Sequence, residues 1–553
     1  MMSRFPIGTR GFWHGIRFGC VSLASGLLAC GSDVDVNVRL TNPCNQAAVA
    51  SVDFVRFEPH GTGVDSSGLT TTQRVSDRAT QPIPIPIVED FSLIATGHRA
   101  TDDRSRPIEL ASALGVSQVA DLTRTTGTVT LSVPFALVDA FYRTTDQSSA
   151  GGGSCSELEE GRRGATATFV PETSSVLVLG GIANDAEADE ALFPRVIERF
   201  SEAKGIFEVV GELPVGAQRI HHTATRLADG RILVAGGQLE VDFVARALNS
   251  ALIVDPRGMG RVAVRGAPLM KDERTGHTAA LLRDGRVLFV GGRKIVEGAG
   301  LEDQTYLRTL EIYDPAQDVF AYLSNAVGDR AELAVPRTEH SMVLLDSGQD
   351  VLVAGGYNAG GAAASFELIH VEGDRATVTN LSEARLAVGP IGHAVAKTPL
   401  GILFAGGYQT LDDAHPATGV ALNASLDVEV WRVTGTDTAT ITRVCAAALE
   451  RGRGGATATM LGDRVVVVGG RGEDGRALGD AELASLAESA DDARQGGCFS
   501  RRTTHLMSDA RAEHTVARLE DSGALLVVGG AQSAGPAIGT AEIFLPRLLR
   551  GPI

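Results

Sequence analysis

Seven copies of one short phrase run through the C-terminal two thirds of this chain, each a run of branched apolar residues that ends in a glycine pair. The pairs are Gly180-Gly181, Gly236-Gly237, Gly291-Gly292, Gly355-Gly356, Gly406-Gly407, Gly469-Gly470 and Gly529-Gly530, spaced 51 to 64 residues apart. Self-similarity at such a period marks a ring or stack of like supersecondary units, because one unit cannot bury its own apolar faces. The repeat therefore constrains the fold closely and the partner hardly at all.

Each copy reads as four strands. In the clearest, Arg274 and His277 precede an apolar strand, an Asp284-Gly285 turn follows, and residues 287–290 form a second strand closed by Gly291-Gly292. Asp-Gly between two apolar runs is a strong hairpin signal, since that turn needs residues that tolerate positive φ. The second strand is apolar throughout, as burial on both faces requires. A third strand opens near a Glu (Glu198, Glu311, Glu367, Glu429, Glu482, Glu542), and a weaker fourth follows.

The pattern resembles the kelch repeat: Arg and His before the first strand, Gly-Gly after the second, Glu opening the third. The resemblance covers roughly residues 155–548 and implies an all-β fold, a seven-bladed kelch-like β-propeller whose first strands line the channel. Departures are Ala165 and Ala456 in place of the His, Ala251 in place of the Glu, and Arg385 eight residues before His393 rather than three. The first copy begins at its inner strand and the last ends after its third, so the missing outer strand is expected from residues 128–149.

Three segments follow from composition. Arg4, Arg10 and Arg17 precede an apolar stretch at residues 18–28, then Cys30-Gly31-Ser32. That order is an export signal, too short to span a bilayer. It resembles a bacterial lipobox, which implies cleavage after residue 29, a lipidated Cys30 and an outer-membrane address. Residues 30–150 alternate apolar and polar in short runs and read as a small β-sandwich-like N-terminal domain that also closes the ring; residues 151–553 are the propeller. The net charge of −17 disfavours nucleic acid and anionic headgroups. Cys44, Cys155, Cys445 and Cys498 suit two disulfides of an exported chain, with Cys44–Cys155 and Cys445–Cys498 the favoured pairing.

His222, His277, His340, His393 and His514 recur at one repeat position near the channel mouth. Recurrence favours a structural role, bonding backbone at the start of the inner strand. Arg162, Arg219, Arg274, Arg337, Arg453 and Arg511 stand three residues ahead of that position and match the Glu in register, which suggests buried charge pairs. Function is expected on the face of the long loops after Gly-Gly. There Gln238, Arg293, Tyr357, Tyr408 and Arg471 would form a polar and aromatic collar suited to a protein loop or a sugar. Acidic loop residues Asp185, Glu187, Asp189, Glu302, Asp303, Asp412 and Asp413 lack calcium-loop order. The expectation is a non-catalytic module, without cofactor or metal, that binds a protein in the envelope or at the cell surface, with carbohydrate as the alternative. The resemblance also implies a remoter reading, a copper radical oxidase of galactose oxidase type using Tyr357, Tyr408, His340 and His393.

Overall fold

The computed structural model describes residues 13–16, 34–41, 44, 54–60, 71–74, 92–98, 113–116, 127–134, 136–145 and 155–546, less 184–192, 242–243, 259, 299, 415–422, 436–438, 488, 521 and 533–536. Cys30 and the acidic residues Asp185, Glu187 and Asp189 lie outside the described residues. The chain divides into two units, one of residues 1–157, 201–206 and 542–548 and one of residues 158–200, 207–541 and 549–553.

The larger unit is a seven-bladed β-propeller. Six four-stranded antiparallel sheets follow one another in chain order, as in Thr278–Leu281, Val287–Val290, Leu310–Asp314 and Val319–Tyr322. The seventh begins with Thr515–Arg518, Leu525–Val528 and Ala541–Leu545. The second strands explain the packing. Along Ile232–Ala235, Ile232 and Val234 enter the core shared with the blade before, whereas Leu233 and Ala235 enter the core shared with the blade after. A strand of period two buried on both sides must be apolar at every position, and none of its four side chains is more than 1% exposed.

The glycine pair does the joining. At the first glycine a Cβ would strike the next blade, as at Gly236, where it would lie 2.6 Å from the His277 ring and 2.7 Å from the Arg274 carbonyl. The second glycine donates its N–H to that same carbonyl. Gly181 bonds Arg219 at 2.9 Å, Gly237 bonds Arg274 at 2.9 Å, Gly292 bonds Arg337 at 2.9 Å, Gly356 bonds Pro390 at 2.7 Å, Gly407 bonds Arg453 at 2.8 Å, and Gly470 bonds Arg511 at 3.0 Å. Gly530 then bonds Arg162 at 2.9 Å, from the last blade back to the first. Seven equivalent bonds close the ring.

The smaller unit holds a three-stranded sheet (Trp13–Ile16, Val34–Thr41, Gly127–Pro134) and a five-stranded one (Thr71–Arg74, Phe54–His60, Ser92–His98, Ala113–Val116, Ala136–Leu137). Within it Ala140–Arg143 pairs antiparallel with Ala541–Leu545, so the last third strand has its outer partner from the expected segment. Disulfides join Cys44 to Cys155 in this unit and Cys445 to Cys498 in the other. No helix among the described residues is long and apolar enough to cross a membrane.

Candidate functional site

The recurring arginines are fully buried cross-braces, each 1% exposed or less. Arg337 donates Nη1 to the carbonyls of Gly355 at 2.8 Å and Ser365 at 3.1 Å, and Nη2 to Glu367 at 2.8 Å. Glu367 in turn accepts the backbone N–H of Ala334 and Val335 at 2.6 and 3.2 Å. Arg162–Glu198, Arg274–Glu311 and Arg453–Glu482 repeat the pair inside their own blades. Two expectations need correction. Ala251 is not the substitute for the Glu: strand register sets Leu252 opposite Val234, where Glu311 stands opposite Phe289. Arg219 there turns to the Ser250 hydroxyl at 3.1 Å. Arg385 does not replace the missing arginine of blade five; it is exposed, and Glu429 pairs with Arg443 at 2.8 Å instead.

The repeat histidines do not face the channel. Their Nε2 atoms bridge blade junctions to a hydroxyl of the preceding blade: His222 to Thr166 at 3.0 Å, His277 to Thr223 at 3.1 Å, His340 to Thr278 at 2.8 Å, His393 to Ser341 at 2.8 Å and His514 to Thr457 at 3.0 Å. The main partner is thus a side chain of the neighbouring blade, although His393 Nδ1 also donates to the Pro390 carbonyl at 3.0 Å. Burial, with Arg219 and Arg337 adding to it, pushes His222 and His340 down to about 3. Burial also lowers His514 to about 3 and His393 to about 4. All are neutral at pH 7. Where the sixth blade has Ala456 in place of the His, the fifth has Ala394 in place of the hydroxyl.

The residues after Gly-Gly form the expected collar only in part. Each pairs with the residue two before the repeat histidine position: Ile220 with Gln238, Thr275 with Arg293, Thr338 with Tyr357, Ile391 with Tyr408, and Gly454 with Arg471. Gln238, Arg293 and Arg471 are partly exposed, but Tyr357 and Tyr408 are buried at 0% and 5% with Ile391 and Ala424. These rings offer no stacking platform for a sugar. Tyr357 opens a small hairpin after Gly-Gly and Tyr408 bridges to Ala424 in the same way, and both rings pack into one apolar cluster under these loops. Glu302 and Asp303 lie on a short 3-10 turn and Asp412 on a one-turn helix.

Sequence reading missed the position between those pairs and the histidines. In all seven blades it is left-handed: Gly164 (φ 63°), His221 (54°), Gly276 (62°), Glu339 (51°), Gly392 (63°), Gly455 (64°) and Glu513 (56°). Glycine takes this conformation freely; a residue with a Cβ is strained there by about 1 kcal/mol or more. N–H groups at this position donate to the carbonyl of the preceding blade, as Glu339 does to Gly276 at 2.8 Å, Gly455 to Gly392 at 2.7 Å and Gly164 to Glu513 at 2.9 Å. His221, Glu339 and Glu513 thus project polar side chains from a ring about the propeller axis. The available signal was that a glycine recurring in four blades is replaced in three by charged or ionisable residues.

Around them Glu513 accepts from Arg163 at 2.5 Å and Arg471 at 3.0 Å, and the Tyr357 hydroxyl donates to Glu339 at 3.1 Å. Burial works against the Glu513 charge, yet the two guanidinium groups hold it below the ordinary carboxylate range. His221 reaches solvent, but the walls of the mouth desolvate it and lower it below the ordinary imidazole range, against the pull of Glu339 and Glu513. Tyr357 is pushed up by burial and by Glu339.

This arrangement does not fit the copper set. His340 and His393 turn their nitrogens into blade junctions, Tyr357 is spent on Glu339, and no group of three or more His, Cys, Asp or Glu able to hold a metal occurs among the described residues.

No family model and no curated protein matches the sequence. Among solved structures, YjhT is 14% identical with a TM-score of 0.44, covering 63% of this chain and 98% of its own. A fungal alcohol oxidase of the AA5 family, in complex with copper, is 15% identical with a TM-score of 0.50, covering 70% of this chain and 75% of its own. At that identity the oxidase shares the propeller fold with this chain, and the likeness goes no further.

Proposed function

We propose that the protein is a kelch-type propeller that captures a protein partner on the face carrying its Gly-Gly hairpins. One observation carries this reading: the asymmetry between the two faces. Eight large apolar side chains are exposed among the described residues; five of them, Val215, Leu269, Val296, Val327 and Leu426, fall in the loops of that face, and a sixth, Leu506, ends the outer strand Phe499–Leu506 there. On the opposite face a carboxylate in a tight turn of one blade is tied to a basic residue of the neighbouring blade in Arg226–Glu172, Arg265–Asp318 at 3.2 Å, Arg286–Asp374 at 3.1 Å and Lys397–Asp346 at 2.6 Å. Exposed apolar groups concentrated on one side of a rigid scaffold suit a protein interface, whereas a solvated ion-paired face does not.

The experiment is capture from envelope extract by the tagged full chain, compared with a Leu269→Asp, Val327→Asp double variant. Capture should fall about tenfold or more, with Tm held within about 3 °C because both side chains stand in solvent. Undiminished capture would remove this face from the interface. We further propose that the chain is exported and lipid-anchored through Cys30, on the strength of the lipobox-like residues alone. A Cys30→Ser variant should then leave the membrane fraction, and a variant that stays there refutes the anchor.

A further inference from the structure

We propose that the axial mouth of the propeller holds a carboxylate-binding site made by Arg293, Gln238 and His221. It is independent of the apolar rim and of any partner captured there.

Arg293 and Gln238 hold equivalent positions in adjacent blades and flank Thr275. Thr275 exchanges both backbone bonds with Arg293, at 3.0 and 2.9 Å, and its hydroxyl donates to Gln238 Oε1 at 3.2 Å. The Gln238 carbonyl is thereby engaged, which leaves its NH2 as the end that can donate outward. His221 follows Ile220, the residue paired with Gln238, and its carbonyl accepts the Gly276 N–H at 3.3 Å. These bonds fix three donors of two neighbouring blades at one rim.

Charge makes the site selective. Three arginines stand at the mouth. Arg163 and Arg471 both close on Glu513, and Glu339 is engaged by Tyr357. Arg293 is in no ion pair among the described residues; it lies near the Tyr306 hydroxyl and 6.0 Å from the Tyr357 ring centroid. On a chain of net charge −17, a partly exposed guanidinium left without a carboxylate at the mouth is a group waiting for one. A carboxylate can take two parallel bonds from that fork and a third from the Gln238 amide, with the His221 ring closing the remaining side. His221 holds a left-handed backbone where four other blades use glycine, so its side chain is kept at a conformational cost that packing does not explain.

The test is titration calorimetry on the full chain with two probes, free glutarate and a blocked peptide bearing one glutamate side chain, and the glutamine peptide as control. One of the carboxylate probes should bind saturably and the control should not. Glutarate alone would mean a free acid is the natural ligand, the peptide alone a partner's side chain. Arg293→Gln should weaken binding about tenfold or more and Arg293→Lys less, both with an unchanged thermal melt, and His221→Gly should weaken it severalfold with a melt no lower than wild type, since glycine relieves the left-handed strain. The Leu269→Asp, Val327→Asp variant should bind as wild type does, which separates failure here from failure of the rim. No saturable binding of either acid, or equal binding by Arg293→Gln, overturns the site.

Discussion

At the scale of single residues, two arginines at the same repeat position carry unequal loads. Arg337 neutralises the wholly buried Glu367, so Arg337→Met leaves a carboxylate without its counter-charge and should cost about 3–5 kcal/mol. Arg219 meets only carbonyls and a hydroxyl, because Leu252 stands where other blades have Glu. Its burial without a carboxylate partner holds it down to about 10. Arg219→Met should cost about 1–2 kcal/mol, the worth of the lost hydrogen bonds. Urea unfolding of the two variants measures the difference; equal losses would mean that the bonds to the glycine carbonyls, and not the ion pair, do the bracing.

At the scale of the element, the junction histidines make the blades acid-sensitive. Each is neutral in the fold, with its pKa lowered to about 3 or 4 at His222, His340, His393 and His514. The unfolded imidazole titrates near 6.5, so below that pH the unfolded chain binds protons that the fold refuses. Stability is whole above about pH 6.5 and falls as pH drops toward 4, by up to about 1.4 kcal/mol per unit for each histidine. His340→Ala, a residue that blades one and six already carry at this position, should lower stability at pH 7 yet flatten the slope between pH 6.5 and 4.5. Denaturation midpoints across that window check it, and an unaltered slope would show that His340 is protonated without penalty. The blade itself was legible in sequence, since a strand buried on both faces has no freedom but to be apolar and its closing glycines have none but to lack a Cβ. The site was less legible. Tyr357 and Tyr408 follow Gly-Gly just as Arg293 does, and only the apolar cluster that the rings form with Ile391 and Ala424, brought together from two blades, draws them inward. The left-handed position hid because Glu339, Glu513 and His221 break the glycine pattern that would have marked it. The five junction bonds needed two blades at once, the hydroxyl in one and the ring in the next.

At the scale of the whole molecule, a ring is only as sound as its seam. Six junctions join blades that are neighbours in sequence, whereas the bond from Gly530 to the Arg162 carbonyl joins residues from opposite ends of the propeller. Loop closure of that length carries an entropic cost that the other junctions do not bear, so a weak seam would open first. The local geometry argues against weakness. A Cβ at Gly530 (φ 98°) would lie 2.7 Å from the Ala512 carbonyl, and one at Gly237 (φ 94°) would lie 2.7 Å from the Ile220 carbonyl. The two sites are thus matched in backbone strain, in steric clash and in the junction bond that the clash displaces. Gly237→Ala and Gly530→Ala should each cost about 3 kcal/mol or more, with one cooperative unfolding transition in both. Urea unfolding followed by fluorescence and by far-ultraviolet circular dichroism decides the matter. A mild or biphasic Gly530→Ala beside a severe Gly237→Ala would mean that the ring stands open at its seam and that the outer strand Ala140–Arg143 alone holds the last blade.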